Sequence, residues 1–120
     1  MNFDNNIPIY LQIVDELKIY IISGKLKPGD RLLSVREYAN LFKVNPNTMQ
    51  KALIELENLN LIYTERTNGK FVTSDETLIK DIKKSYAKNI IKKYFTDMNN
   101  IGIKKEEAIK YIIEKSEYYE

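Results

Sequence analysis

The sequence predicts a mainly α-helical protein with one small β-hairpin. Three segments with apolar residues at helical spacing come first, and the pair Asn68-Gly69 follows them between two short β-prone segments. The residues after Thr73 again show helical spacing and carry no strand signal. With 120 residues the chain can form one ordinary domain, or a small domain with a helical appendage, but not two full-sized cores.

Composition excludes several classes of protein. The hydrophobic fraction of 43% and the charged fraction of 30% are typical of a folded protein, and no run approaches the roughly 20 apolar residues of a membrane-spanning helix. The opening MNFDNNIPIY lacks the basic and apolar regions of a secretory signal, so we expect a cytoplasmic protein without membrane contact. The chain has no Cys, no His and no credible acid-base pair of carboxylates. We therefore predict no metal site, no cofactor and no enzymatic activity.

The first helix is expected to begin at or near Pro8, because proline suits the first turn of a helix. The segment SGKLKPGDRL should end it, with Gly24 as a left-handed cap and Pro28-Gly29 as a turn. Apolar residues recur at helical spacing between these limits: Ile9, Ile13, Leu17, Tyr20 and Ile21.

The start of the second helix is indicated by the segment Ser34-Val35-Arg36-Glu37. Ser34 can accept from the backbone amide of Glu37 while the Glu37 side chain reaches back, which is the reciprocal capping box. The helix should run to about Phe42 or Lys43. Its predicted buried side consists of Val35, Tyr38, Ala39 and Phe42.

The third helix should begin after a tight turn, with Asn45 as N-cap and Pro46 at the first helical position. Its predicted apolar face consists of Met49, Ala52, Leu53, Leu56 and Leu59. The opposite face carries Asn47, Lys51, Ile54 and Asn58, and it is flanked by Thr48 and Gln50.

Two short strands are expected next, over 61–66 and 70–73, joined by a turn at Thr67-Asn68-Gly69. Helix, helix, helix and hairpin is the order of a winged helix-turn-helix. We therefore predict a DNA-binding domain over residues 1–73.

Residues 74–120 are predicted to form a two-helix tail, with helices over about 75–98 and 104–119 broken by NNIG. Two amphipathic helices without a core of their own must bury their apolar faces on the first domain or on a second copy of the chain. The predicted dimerisation residues are Leu78, Ile82, Tyr86, Ile90, Tyr94, Ile109, Ile112 and Ile113.

The start of the third helix carries the residue types that read DNA. Base edges in the major groove present donors and acceptors, which short polar and long basic side chains can meet. Four cations against one anion lie between Arg31 and Lys51. The predicted DNA-binding residues are Arg36, Asn47, Thr48, Gln50 and Lys51, together with Arg66, Asn68, Gly69 and Lys70 of the hairpin. The alternatives are a solvated helix start, an Arg36 paired with Glu37 or Asp30, and a tight turn without a ligand.

The stretch from Pro8 to Val72, which includes PGDRLLSVREYA and VNPNTMQKAL, resembles the DNA-binding domain of the GntR family of bacterial transcription regulators. The short two-helix tail resembles that of the YtrA subfamily, in which it is a dimerisation module. The resemblance implies that Arg36 and the recognition-helix positions face DNA, with Gly69 at the wing tip. The chain departs from the family pattern in having Leu33 for a proline, Asn60 for a glycine and Thr67 for the first wing glycine.

Together these observations predict a homodimeric repressor that binds an inverted-repeat operator in double-stranded DNA. The resemblance implies control of its own operon, which in similar regulators often encodes an ABC transporter. A winged helix that serves as a protein-interaction module without a specific DNA site is the alternative, and a small-molecule effector of unknown identity is left open.

Overall fold

The computed structural model describes residues 1–118, and within them the chain forms five α-helices and one antiparallel hairpin. The mainly helical fold with a small hairpin is thereby confirmed. No helix in residues 1–118 is both long enough and apolar enough to cross a membrane. The elements are α1 (Ile9–Ile22), α2 (Val35–Phe42), α3 (Pro46–Asn58), β1 (Ile62–Glu65), β2 (Gly69–Val72), α4 (Glu76–Asn100) and α5 (Lys105–Lys115), followed by a 3-10 helix, Ser116–Tyr118.

The chain divides into two compact units, Met1–Lys83 and the residues from Lys84 onwards. The first unit takes in the start of α4, because Leu78, Ile79 and Ile82 pack partly buried against its core. A boundary at residue 73 stays a prediction. The predicted end of the last helix at residue 119 lies outside the described residues.

The core of the first unit forms where α1 and α3 pack together over the hairpin. Its large, fully buried side chains come from all three elements and from the loop before β1: Ile13, Leu17, Ile21, Met49, Leu53, Leu56, Leu61 and Val72. The predicted buried side of α2 is confirmed for Tyr38, Ala39 and Phe42, while Val35 is only half-buried. The prediction that Leu59 completes the buried face of α3 is wrong. Leu59 is the C-cap of α3 and stays exposed, because the helix ends there and Asn60 adopts a left-handed φ of 62°.

The predicted helix caps are confirmed. Ser34 Oγ accepts a hydrogen bond from the Glu37 amide at 3.1 Å, and the Ser34 amide donates to Glu37 Oε1 at 3.0 Å, which closes the capping box. Asn45 Oδ1 accepts from the Asn47 amide at 2.7 Å, and Pro46 occupies the first helical position. These bonds satisfy amides that have no partner inside the helix, so each helix starts at a defined residue.

The hairpin, here called the wing, pairs Ile62 with Val72 and Glu65 with Gly69. Its connecting residues are 66–68, one position earlier than predicted, because Gly69 already pairs with β1 while adopting a φ of 102°. The loop between α1 and α2 runs along the open edge of β2, where the Leu32 amide donates to the Lys70 carbonyl at 2.8 Å and Arg31 forms an isolated bridge with Phe71.

The second unit packs the end of α4 against α5. Ala108 of α5 is completely buried, and the Tyr94 hydroxyl donates to its carbonyl at 2.7 Å. Gly102, with a φ of 86°, makes the turn between the helices. Lys104 is the N-cap of α5 without a side-chain capping bond, as its residue type predicts.

Ser34→Ala should lower the free energy of unfolding by about 1 kcal/mol, because it removes the acceptor for the Glu37 amide at the start of α2. Chemical denaturation with a fluorescence or circular-dichroism readout measures this change. Ser74→Ala, in the exposed loop before α4, is the matched control and should stay within about 0.5 kcal/mol of the parent protein. Equal stability of the two variants would contradict the capping role of Ser34.

Candidate nucleic-acid interface

The first turns of α3 present an exposed polar ridge. Asn47 and Gln50 lie three positions apart and are both exposed, while Thr48 beside them is partly buried. The opposite side of the same turns is buried in the core, to which it contributes Met49, Ala52 and Leu53. The helix therefore projects hydrogen-bonding side chains away from the protein at its N-terminal end, where a recognition helix meets base edges.

Lys51 is exposed but held in place. Its Nζ lies 4.3 Å from the centre of the Tyr10 ring, so α1 supplies a cation-π contact to the recognition helix. The residue pattern gives no sign of this contact, because Tyr10 and Lys51 lie on different helices. Lys51 keeps its charge at the surface, in an orientation that the Tyr10 ring restricts.

Arg36 lies in the first turn of α2, and its side chain is exposed. Within residues 1–118, neither Glu37 nor Asp30 forms an ion pair with it; the Glu37 carboxylate bonds to the Ser34 amide and Asp30 Oδ2 accepts from the Lys27 amide. The pKa of Glu37 is lowered by its hydrogen bonds with the backbone and side chain of Ser34, and the Arg31 charge adds to the effect. Arg36 is thus available to a ligand.

A network at the base of the wing joins it to α3. Lys70 Nζ lies 2.6 Å from Glu57 Oε1 and 2.9 Å from Thr64 Oγ1, and the Thr64 hydroxyl donates to the same Glu57 oxygen at 2.5 Å. These bonds lower the pKa of the Glu57 carboxyl. The charge of Lys70, which was predicted as a DNA contact, is therefore paired with Glu57, and this partly exposed pair orients the wing relative to α3.

The wing tip leaves its other predicted residues at the surface. Arg66 and Asn68 are exposed, and Asn68 Nδ2 donates to Glu65 Oε2 at 3.0 Å across the turn. Gly69 has a positive φ, which residues with a side chain rarely adopt. The tip is therefore a narrow turn with one charged side chain, a shape that suits entry into a groove of DNA.

Arg31 is a cation that the predicted site did not include. It is exposed and lies against Gly69, and with Arg66 it borders a cleft of about 630 Å³ between the wing and the start of α2. The excess of basic residues from Arg31 to Lys51 is the sequence feature that could have pointed to Arg31 as part of the site. Its position beside the wing depends on pairing between the loop and β2, which the residue pattern does not reveal.

The predicted dimerisation residues fall into two groups. Leu78 and Ile82 pack against the core of the first unit, so that part of their surface is already covered. In the second unit, Tyr86 and Tyr94 are partly buried, whereas Ile90 is 67% exposed and Ile113 68% exposed. Ile112 is 47% exposed and borders an apolar cleft of about 500 Å³ with Tyr94, Met98 and Tyr111, and Ile109 is exposed beside it on α5.

No group of three or more His, Cys, Asp or Glu side chains that could hold a metal ion occurs in the part of the chain that the structure describes. The exposed side chains of α3, the start of α2 and the wing offer hydrogen-bonding groups and charges.

Comparison with known proteins identifies what such an arrangement resembles. The family model for bacterial regulatory proteins of the gntR family matches residues 9–72. The HTH-type transcriptional repressor YtrA of Bacillus subtilis (strain 168) is 36% identical over 110 residues, which cover 91% of this chain and 85% of that protein. A GntR family transcriptional regulator from Listeria monocytogenes has a structure with a TM-score of 0.84 at 40% identity, covering 93% of this chain and 98% of the other.

A further solved structure contains DNA. The DNA-binding domain of AraR in complex with operator ORR3 has a TM-score of 0.55 at 27% identity, covering 61% of this chain and 88% of that domain. The matched family and relatives are transcription regulators, which confirms the prediction that the chain is not an enzyme.

Glu57→Gln should lower the free energy of unfolding at pH 7, because it removes the ion pair with Lys70. The pair is partly solvated, so the expected loss is about 0.5 to 1 kcal/mol. The pKa of Glu57 is lower in the folded state than its ordinary value of about 4.3. The stabilisation is therefore complete above that ordinary value and is lost as the pH falls through the folded pKa. Denaturation curves of the parent protein and of Glu57→Gln at several pH values measure this stabilisation.

Glu55→Gln, two positions away on the same helix, is the matched control and should show no such pH dependence. A difference between Glu57→Gln and the parent protein that persists unchanged at low pH would contradict the role of the carboxylate.

Proposed function

The chain belongs to the GntR family of bacterial regulatory proteins, and from that premise we propose that it is a sequence-specific DNA-binding repressor that acts in the cytoplasm as a homodimer. The observation that carries the proposal is the exposed polar N-terminal end of α3, in the same compact unit as an exposed wing. The complex of the AraR domain with its operator supports the same use of a related domain.

The recognition helix inserts its N-terminal turns into a major groove. Asn47 and Gln50 have amide groups that donate and accept, so they can meet an adenine edge in two places. Arg36 approaches the same groove from α2, where its guanidinium suits a guanine edge or a phosphate. Thr48 and Lys51 complete this surface with a hydroxyl and a charge.

The wing contacts the adjoining groove or its phosphates through Arg66, Asn68 and Gly69. Its orientation is set by Glu57 and Lys70, so in this proposal Lys70 positions the wing and does not contact the DNA. The single exposed cation at the tip fits a phosphate or a narrow minor groove.

Dimerisation joins two such domains through the second unit. Ile90, Ile109, Ile112 and Ile113 expose apolar surface that a second copy would cover, and Tyr86 and Tyr94 lie on the same two helices. A two-fold dimer reads an inverted repeat with half-sites about 34 Å apart. The target we propose is the promoter of its own operon, which in similar regulators often encodes an ABC transporter.

Arg36→Ala and Gln50→Ala should each weaken binding to operator DNA by about 1 to 3 kcal/mol, because each removes a side chain that reads a base edge. Fluorescence anisotropy with DNA from upstream of its own gene measures the affinity. Asn58→Ala, exposed at the far end of α3, is the control and should bind as the parent protein does. Unchanged affinity in both Arg36→Ala and Gln50→Ala would refute this reading surface.

Ile112→Asp should convert the dimer into a monomer, because it places a charge in an interface that must exclude water. Sedimentation velocity measures the mass, and operator affinity should fall because two half-sites are no longer engaged together. Ile101→Asp changes an isoleucine that is 71% exposed in the turn between α4 and α5, and it should leave the dimer intact. A dimer that survives Ile112→Asp at micromolar concentration would disprove this interface.

A further inference from the structure

Arg31 is held at the edge of the wing by backbone pairing. The bridge with Phe71 and the hydrogen bond from the Leu32 amide to the Lys70 carbonyl place the loop alongside β2. Leu32 is buried in the core, whereas Arg31, one position before it, is exposed. The alternation of a strand thus directs Arg31 outward.

The Nε–Nη2 edge of the Arg31 guanidinium lies against Gly69. A Cβ at residue 69 would stand 3.3 Å from Arg31 Nε, 3.4 Å from Nη2 and 3.8 Å from Cζ. The contact with Nε is tighter than most real Cβ contacts, so a side chain at residue 69 would shift the guanidinium by a few tenths of an ångström. Gly69 serves two purposes here, since it adopts a φ of 102° and it leaves room for Arg31.

The charge of Arg31 has no ion-pair partner within residues 1–118. The carboxylates that line the same cleft, Glu37 and Glu65, bond instead to the Ser34 amide and to Asn68 Nδ2. Lys70 lines the cleft too, but its charge is neutralised by Glu57. Arg31 and Arg66 are therefore the cations that this cleft can offer to an anion.

We propose that Arg31 binds a DNA phosphate in the cleft between the wing and the start of α2. This inference rests on the proposed function. A sugar-phosphate strand separates the major groove from the neighbouring minor groove, so a protein that puts α3 in one and the wing in the other must pass that strand between them. A guanidinium whose Nε–Nη2 edge rests against Gly69 can meet a phosphate through its remaining N–H groups with little loss of side-chain freedom.

A phosphate contact carries no sequence information, and this property separates Arg31 from the residues that read bases. Arg31→Ala should weaken binding to upstream DNA and to a scrambled duplex by the same factor. One lost contact should lower the slope of log affinity against log salt by about 0.9, so the affinity ratio of wild type to variant shrinks about threefold to fourfold between about 50 and 200 mM salt.

Gly69→Ala should weaken DNA binding partly by displacing Arg31. That part should vanish when Arg31 is already alanine, so the two substitutions should be non-additive.

The experiment is an anisotropy titration of the full chain against both duplexes at both salt concentrations. Arg31→Lys keeps the charge and should preserve the salt slope, whereas Arg31→Gln keeps a hydrogen-bonding amide without the charge and should behave as Arg31→Ala does. Lys105→Ala, in the first turn of α5, removes a cation from the second unit and should change neither slope nor affinity. Thermal melts confirm that the Arg31 variants are folded, and Arg31→Gln carries the test if alanine destabilises the loop.

The outcomes distinguish the inference from the proposed function. An unchanged salt slope in Arg31→Gln, with Arg36→Ala still weakening operator binding, would overturn the role of Arg31 and leave the repressor proposal standing. A loss confined to upstream DNA would overturn the phosphate contact in favour of a base contact. Absence of salt-dependent binding by the wild-type chain to either duplex would overturn both.

Discussion

The packing of α3 against α1 is the constraint on which the rest of the first unit depends. Met49, Leu53 and Leu56 are fully buried, and at helical spacing this leaves Asn47 and Gln50 no direction other than outward. Asn45 and Pro46 define where the helix begins, so the same residues always occupy its first turns. The exposed polar end of α3 is therefore a consequence of the core, and under the proposed function a change that loosens the core would also weaken the recognition of bases.

The wing depends on a second interaction. Glu57, on the same helix, accepts from both Lys70 and Thr64, so the wing is attached directly to the recognition helix. This attachment pairs the charge of Lys70 with Glu57. The cations that stay available here are Arg66 of the wing and Arg31 of the loop beside it. Arg31 reaches that position only because the preceding loop pairs with β2. One helix thus orients both the side chains proposed to read bases and the base of the wing.

Local patterns predicted the parts of this molecule that local chemistry determines. The capping box at Ser34 and the start of α3 at Pro46 follow from neighbouring residues and were both predicted. What could not be predicted depends on residues distant in sequence: the pair of Lys70 with Glu57, and the contact of Lys51 with Tyr10. The prediction that Leu59 is a core residue was wrong because periodicity alone does not show where a helix face ends.

The central claim is that this surface recognises a particular DNA sequence. The most direct test titrates the full chain against DNA from upstream of its own gene and against a scrambled duplex, each at two salt concentrations. A preference of about a thousandfold or more for the upstream DNA, with affinity that falls steeply as salt rises, is the predicted result. Equal, weak binding to both duplexes would contradict the claim and favour a winged helix that binds protein.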